Sequence, residues 1–591
     1  MQSWIEKEVD ESQVAGMVAA GVAPLIARLL ALRGVSAGTI GRYFEPNWRD
    51  LAQPKDLPGV DEAAAIILDA LEAGEKIAVF GDYDCDGVCA TAIMAIALRA
   101  VLKDISPAGD NLEGRVVTFL PERLTEGYGL TDASVARLVS EHPDVRLVVT
   151  VDNGVNAVEQ IDSLSGRGIR VVVTDHHLRG EELPRSAALV NPKVAAPENL
   201  SDLCGAAVAY FLSNAVVALA RERRGDDTIA RGIGAPLFVM AGLATVTDIM
   251  PLRDQNRIFV AESLKHFVRW APVGLRELHM RASRTAAEAM TSRDFGFVLG
   301  PRINAVGRLG SSEDALKLLM CPECDRERSR ALAMEIDFCN ASRRSVEQRM
   351  TEAALEQIRP GSHAQVIAFG QDNPDVHPGV SGIVASRLVE KLVPPVPVCV
   401  LVNGKGSSRA PAGYNVREAL ADCADLLTQY GGHAAAAGLA VKPGEIDRFR
   451  AKFAEACAAQ AGNIEAPAPG TRLVDAFIEP RDVTVGLAEQ IARMEPFGES
   501  NPEPVFAIRR VTFAPGGIRT VGAKAQHLQF EFGERGLPRA LWWNRGDMLE
   551  ELRARSNLAY SIAFTIAISD YGGKHVELSI LDMREAKQQV P

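Results

Sequence analysis

The sequence predicts an α/β protein of several domains: a parallel-sheet domain, a second α/β domain joined to it by a long helix, and a C-terminal all-β unit. Three observations lead there. Apolar strand-like runs alternate with helical segments from about residue 61 to 270, as in a parallel sheet covered by helices. A charged helical stretch without glycine then runs from about 311 to 358. Short alternating strands follow residue 471, a pattern that suits a small barrel.

The bulk numbers are consistent with this division. A chain of 591 residues exceeds what one core supports. With 47% hydrophobic and 24% charged residues it reads as a soluble globular protein, and no uncharged run is long enough for a membrane span. The acidic N-terminus lacks the basic start of a signal peptide. Nine scattered cysteines suit a reducing compartment, so the expected location is cytoplasmic. The CPEC at Cys321 and Cys324 has no matching second pair, and reads as a turn between helices rather than a zinc site. A net charge of −12 argues against nucleic acid only on average, since a narrow basic channel is compatible with an acidic exterior.

In chain order, residues 1–60 read as short helical pieces broken by Gly and Pro. Residues 61–310 form the first α/β domain, with strands at KIAVF (76–80), RVVTFL (115–120), RLVVTV (146–151) and RVVVT (170–174). Residues 311–360 are connecting helices. The second α/β unit occupies 361–462 and starts with AQVIAFG (364–370). NIEAPAPG (463–470) is a linker by composition, and 471–591 is the all-β unit.

The segment GDYDCDG (81–87) carries the chemistry. Asp82, Asp84 and Asp86 stand at alternate positions before Gly87, and three carboxylates that close repel one another unless a cation sits among them. A calcium EF-hand is excluded: the twelfth position from Asp82 is Ile93 rather than Glu, and the preceding segment is a strand rather than a helix. The acids therefore occupy a strand-to-helix turn at the carboxyl end of a parallel strand, where open α/β sheets bind ligands.

Other runs end alike. RLVVTVDNG places Asp152 beyond a strand, RVVVTDHH places Asp175, His176 and His177 beyond the next, and GLATVTDIMP places Asp248 after an apolar run. Strand ends of one parallel sheet share an edge, so these groups are expected to converge. Carboxylates with imidazole and no thiolate favour Mn²⁺ or Mg²⁺. The acids outnumber the needs of one octahedral ion, and two ions about 3.5–4 Å apart would form a phosphoryl-transfer site. Asp175 suits a positioning role toward a histidine.

VFGDYDCDG, PERLTEGYG, VDNG, TDHH and TVTD, in this order, resemble the DHH phosphoesterase superfamily. GPRINAVGRLG, HPGVSGIVASRL, GGHAAAAGL and MEPFGESNPEPVF resemble more narrowly its bacterial single-strand-specific DNA exonucleases, over almost the whole chain. The resemblance implies a DHH domain, a long helix, a DHH-associated domain and an OB-like barrel. It implies degradation of single-stranded DNA from the 5′ end to mononucleotides, with two Mn²⁺ or Mg²⁺ ions, in recombination and repair. It further implies a monomer, with single-strand-binding protein and a RecQ-type helicase as partners. By the matching motifs, Asp84, Asp86, Asp152, His176 and Asp248 are metal ligands, Asp82 lies in or beside that set, and His177 faces the scissile phosphate.

The second α/β unit and its flanks supply candidates for holding the strand. Arg302 and Arg308 in GPRINAVGR, Arg409, His377 and His433 can meet phosphates, and Ser381 can donate to a terminal phosphate. Each arginine alone is equally compatible with a surface ion pair. Gly431 and Gly432 would admit a phosphate close to the backbone. Tyr128 can stack on a base or pack in the core, and of Trp542 and Trp543 alternation turns one inward. Ala410, Ser500 and Thr247 depart from the residues usual in such motifs. Two other functions compete: a DHH phosphodiesterase acting on short oligonucleotides or cyclic dinucleotides, and an inactive DNA-binding assembly factor. The first tends to lack the C-terminal unit and the second would lack ligands.

Overall fold

The computed structural model describes residues 4–283, 290–370, 373, 375–461, 472–569 and 575–586. The linker expected at 463–470 and the DYGG end of the strand segment near 570 lie outside the described residues. The chain divides into two compact units, residues 52–250 with 263–466 and residues 1–51 with 251–262 and 467–591.

The larger unit holds a five-stranded, fully parallel sheet. Its spatial order is Val116–Phe119, Lys76–Phe80, Val145–Val151, Arg170–Thr174, Ala188–Val190. The last strand, only three residues long, gave no sequence signal. Ala78, Phe80, Val148, Val171 and Val173 enter one core cluster with Leu138 and Ile161 of two covering helices. The intervening Ile77, Val79, Leu147, Val149 and Val172 are equally buried, which is why these strands read as unbroken apolar runs. The chain leaves Lys76–Phe80 for a neighbour on one side and later returns on the other. This reversal opens a crevice at the carboxyl ends of Lys76–Phe80 and Val145–Val151.

Helix Cys85–Ile105 follows the first strand. It is long and apolar enough to cross a membrane, but 83% of its most apolar window is buried inside the protein, as befits a core helix. A 30-residue helix, Arg326–Leu355, leads to a second sheet ordered Leu427–Gly432, Ala436–Val441, Lys405–Arg409, Val398–Val402, Gln365–Phe369. Only its last two strands run parallel. CPEC forms the turn before the long helix, with Cys321 buried and Cys324 exposed.

The smaller unit carries a mixed seven-stranded sheet, from Ala476–Phe477 through Phe506–Val511, Tyr560–Ser569, His575–Glu585, Ala540–Trp542 and His527–Phe532 to Phe513–Val521. Trp542 is buried and Trp543 half-exposed, as alternation requires. The N-terminal segment expected as a separate piece is part of this unit through residue 51. Strand Trp4–Glu6 pairs in parallel with Arg472–Val474, and Met17, Leu29 and Leu30 share a core with Phe506, Phe530 and Phe564. Nothing local in the sequence announces a pairing across that separation.

Ser500 stands in the Gly498–Asn501 turn at φ +60°, the left-handed region that suits glycine. Replacing Ser500 by Gly is expected to raise unfolding stability by about 1 kcal/mol, read as a higher urea midpoint with unchanged slope.

Candidate active site

The predicted acids do gather at the crevice. Asp84 is the N-cap of helix Cys85–Ile105, and its Oδ1 accepts from the Asp86 and Gly87 amides at 3.0 and 3.1 Å. Asp86 turns the other way and accepts from the Gly205 and Ala206 amides at 2.7 Å each, so the N-terminus of helix Gly205–Arg224 faces a carboxylate. Glycine is needed at two close approaches. A Cβ on Gly87 would fall 2.6 Å from Asp82 Cβ, and one on Gly205 would fall 2.5 Å from Asp152 Cβ.

His176 joins the acids. Its Nε2 lies 3.1 Å from Asp152 Oδ1 and 3.6 Å from both Asp86 Oδ2 and Asp248 Oδ2. Asp152 itself is held at φ +64°. Two of the close-set ligand groups are Asp82–Asp84–Asp152 and Asp86–His176–Asp248, each with donor atoms within 4.8 Å of one another. Asp248 corrects one expectation. It does not follow a strand but terminates helix Gly234–Thr247, because an apolar run alone does not distinguish a buried helix from a buried strand.

The electrostatics calls for cations. Burial, then the charge of Asp84, pushes Asp82 well above the usual carboxylate range, and neither of its oxygens meets a donor at hydrogen-bond geometry. Burial and the neighbouring acids push Asp152 up in the same way, and Asp248 up to about 8. Burial and Asp86 raise Asp84 despite the two amides it caps. An all-oxygen and imidazole donor set with an orphaned buried carboxylate fits hard divalent ions.

Asp175 and His177 form a separate pair. Asp175 Oδ1 accepts from the His176 amide at 2.7 Å, the His177 amide at 3.1 Å and His177 Nδ1 at 2.7 Å, and its Oδ2 accepts from the Val155 amide. Burial opposes ionisation of both partners, but their mutual hydrogen bond outweighs it. Asp175 is held below its ordinary range and His177 is pushed up to about 9. Tyr128 is neither packed in the core nor free: its hydroxyl donates to the Asp152 carbonyl at 2.8 Å and lies 3.0 Å from His177 Nδ1.

The basic candidates separate into two groups. Arg302 is buried, pairs with Asp337 at 3.0 Å and donates to the Val298 carbonyl, so it holds the helices together and is not available to a phosphate. Among the described residues, the hydrogen bonds of Arg308 and Arg409 go to backbone carbonyls, of Gly379 at 3.4 Å and Ser408 at 2.8 Å. Burial, then the charges of Arg123, Arg343 and Arg409, lower Arg308 to about 10, while Asp84 acts in the opposite sense. Burial and Arg123 lower Arg409 as well. Arg123, within PERLTEGYG, is a basic residue that sequence reasoning missed, and its guanidinium lies 4.9 Å over the Tyr83 ring. Among the described residues no carboxylate pairs with Arg123, Arg308 or Arg409. The charges of Arg123, Arg308 and Arg409 lie close to one another, and Arg308 is near enough to Asp84 to feel its charge.

The remaining candidates are dispersed. Ser381 is buried at the start of helix Ser381–Lys391, 3.4 Å from Ser407 Oγ, and His377 Nδ1 accepts from the Gly379 amide. His433 is exposed at the hairpin tip between Leu427–Gly432 and Ala436–Val441. Gly432 is accounted for by that hairpin, where a Cβ would fall 2.5 Å from the Ala436 carbonyl. Residues of GPRINAVGRLG outside the candidate set clamp the acidic turn: Asn304 Oδ1 accepts from the Cys85 amide at 2.7 Å, and nearby Ser312 donates to the Tyr83 carbonyl at 2.6 Å.

Comparison with known proteins agrees with the geometry. Residues 76–235 match the DHH family N-terminal domain, 355–459 the DHHA1 domain and 474–582 the RecJ OB domain. The single-stranded-DNA-specific exonuclease RecJ of Dickeya dadantii is 35% identical over 82% of this chain and 83% of its own. That of Bacillus subtilis is 30% identical over 96% and 69%. The crystal structure of RecJ in complex with Mn²⁺ from Thermus thermophilus superposes with a TM-score of 0.80 at 29% identity, covering 99% of this chain and 80% of that one.

A raised folded-state pKa means that the metal-free protein is favoured by protonation. Its stability is therefore expected to fall as pH rises from the ordinary carboxylate range near 3.8 through the Asp248 value of about 8. Saturating Mn²⁺ should cancel that fall, since the ions replace the protons. Urea midpoints at pH 5 and pH 8, with and without Mn²⁺, check this. A metal-free midpoint that does not fall between those pH values would contradict it.

Proposed function

The chain belongs to the RecJ family of single-stranded-DNA-specific exonucleases, and from that premise we propose that it hydrolyses single-stranded DNA from the 5′ end to mononucleotides in recombination and repair. The observation that carries this reading is the opposition of two charged clusters: buried acids that need divalent cations, and unpaired arginines that need an anion. A phosphodiester with two ions satisfies both.

In this reading Asp82, Asp84 and Asp152 would hold one ion and Asp86, His176 and Asp248 the other, with Asp152 near enough to His176 to be shared. Bound Mn²⁺ or Mg²⁺ supplies Lewis-acid polarisation of the scissile phosphate and of the attacking water. The acids fix the positions of both charges, because Asp84 and Asp86 are each anchored by two amides. His177, kept protonated by Asp175, offers a charged N–H toward the phosphate. Tyr128 limits the swing of that ring. Arg123, Arg308 and Arg409 cradle neighbouring phosphates, and Ser381 donates to a terminal one. No side-chain nucleophile is required.

Specificity for single strands would come from a passage too narrow for a duplex. The OB-like unit, with Trp543 exposed, offers a stacking surface for incoming strand. Nine free thiols fit a cytoplasmic enzyme. It acts as a monomer that receives substrate from single-strand-binding protein and a RecQ-type helicase.

Strands labelled at either end are the direct test. With Mn²⁺, 5′ label is expected to appear at once as mononucleotide while 3′ label stays in long products, and Asp84→Ala should abolish both with the fold intact. Label released first from the 3′ end would reverse the polarity, and cleavage by Asp84→Ala would remove that residue from the ion site. Arg308→Ala and Arg409→Ala are each expected to lower the slope of log affinity against log salt by about one. An unchanged slope would place that arginine off the strand.

A further inference from the structure

Two large and mostly exposed apolar side chains directly follow residues of the acidic and imidazole cluster. Leu178 follows His177 and is 68% exposed, and Ile249 follows Asp248 and is 70% exposed. The residues they follow are close neighbours through His176, whose Nε2 is 3.6 Å from Asp248 Oδ2 and whose ring centroid is 4.4 Å from that of His177. Single exposed apolar residues are ordinary on any surface. These two differ because the backbone of each is fixed in place.

Ile249 closes helix Gly234–Thr247. Its amide donates to the Val246 carbonyl at 3.2 Å, and the Met250 amide donates to the Thr245 carbonyl at 3.0 Å. This is the left-handed helix stop in which glycine is favoured, yet Ile249 adopts φ +58° with a branched Cβ, a conformation such residues adopt least readily. Strain of this kind collects at functional sites. Leu178 is held differently. Asn156 Nδ2 donates to the Leu178 carbonyl at 3.0 Å, and Asn156 Oδ1 accepts from the Gly180 amide, so one side chain pins both sides of the loop tip.

We infer that Leu178 and Ile249 are specificity-determining contacts that grip the face of the unpaired nucleobase next to the scissile phosphate. This rests on the exonuclease reading above and adds what the site takes besides phosphate. Aliphatic groups pressed on a base see its flat face and not its hydrogen-bonding edge, so any base serves. Inside a duplex that face is covered by the neighbouring pair, and only the terminal pair leaves one face open, so beyond the terminal position the contact is made only with a strand already opened. The pair therefore favours strands opened at the site of cleavage.

The test compares kcat/KM on a thymidine oligomer with that on the same oligomer carrying abasic residues at the terminal two positions, using Mn²⁺ and the full chain. Ile249→Gly relieves the left-handed backbone, so its folding is not at risk, and Leu178→Ala and the double variant complete the set. The double variant is expected to lose about tenfold in kcat/KM on the normal strand, the size of a lost aliphatic contact. On the abasic strand it should match wild type within about twofold, while the Mn²⁺-induced rise in melting temperature stays as in wild type. Unchanged kcat/KM on the normal strand, an equal loss on the abasic strand, or a lost Mn²⁺ response would each overturn the assignment. A wild-type chain that degrades neither strand would instead overturn the exonuclease reading, and the base contact with it.

Discussion

Mutual repulsion among buried carboxylates is the constraint around which the larger unit is arranged. Asp82, Asp86 and Asp152 are buried in a crevice with the partly exposed Asp84 and Asp248 beside them, and no lysine or arginine pairs with Asp82 or Asp152 among the described residues. Packing does not favour such a cluster, and backbone amides anchor two of its acids, Asp84 and Asp86. Two amides fix Asp84, two fix Asp86, and glycines at 87 and 205 let the backbone close to within contact of Asp82 and Asp152. The cost is carried by a core whose strands are buried on both faces.

The arginines repeat the pattern with opposite sign. Burial and neighbouring arginines lower the proton affinity of Arg308 and Arg409, while Arg302, six residues before Arg308, is paired with Asp337. The difference between neighbours in one motif is a difference of surroundings, not of residue type. Arg302, paired with Asp337, braces helices, whereas among the described residues Arg308 and Arg409 meet no carboxylate. A phosphodiester held with divalent ions discharges both clusters together.

Local backbone tension follows the same logic. Asp152 at φ +64° and Ile249 at φ +58° sit on or beside the ion site, in conformations that a stability-optimised chain would give to glycine. Asp248 ends a helix, where the axial dipole disfavours a negative charge. Each is a small loss accepted where chemistry requires a side chain in one place.

Read alone, the sequence determined the elements whose pattern is local: the four longer parallel strands, the buried helix after GDYDCDG, the long charged helix and most of the C-terminal strands. It also brought Asp82, Asp84, Asp86, Asp152, Asp175, His176 and His177 to one place, because strand ends in a parallel sheet share an edge. Only the tertiary structure decided that Asp248 arrives on a helix, since apolar runs of that length suit either element. It alone separated Arg302 from Arg308, because pairing depends on Asp337 some 35 positions away, and it alone joined the first strand to residues 472–474. Periodicity records which face of an element is buried; it holds no record of which distant partner buries it.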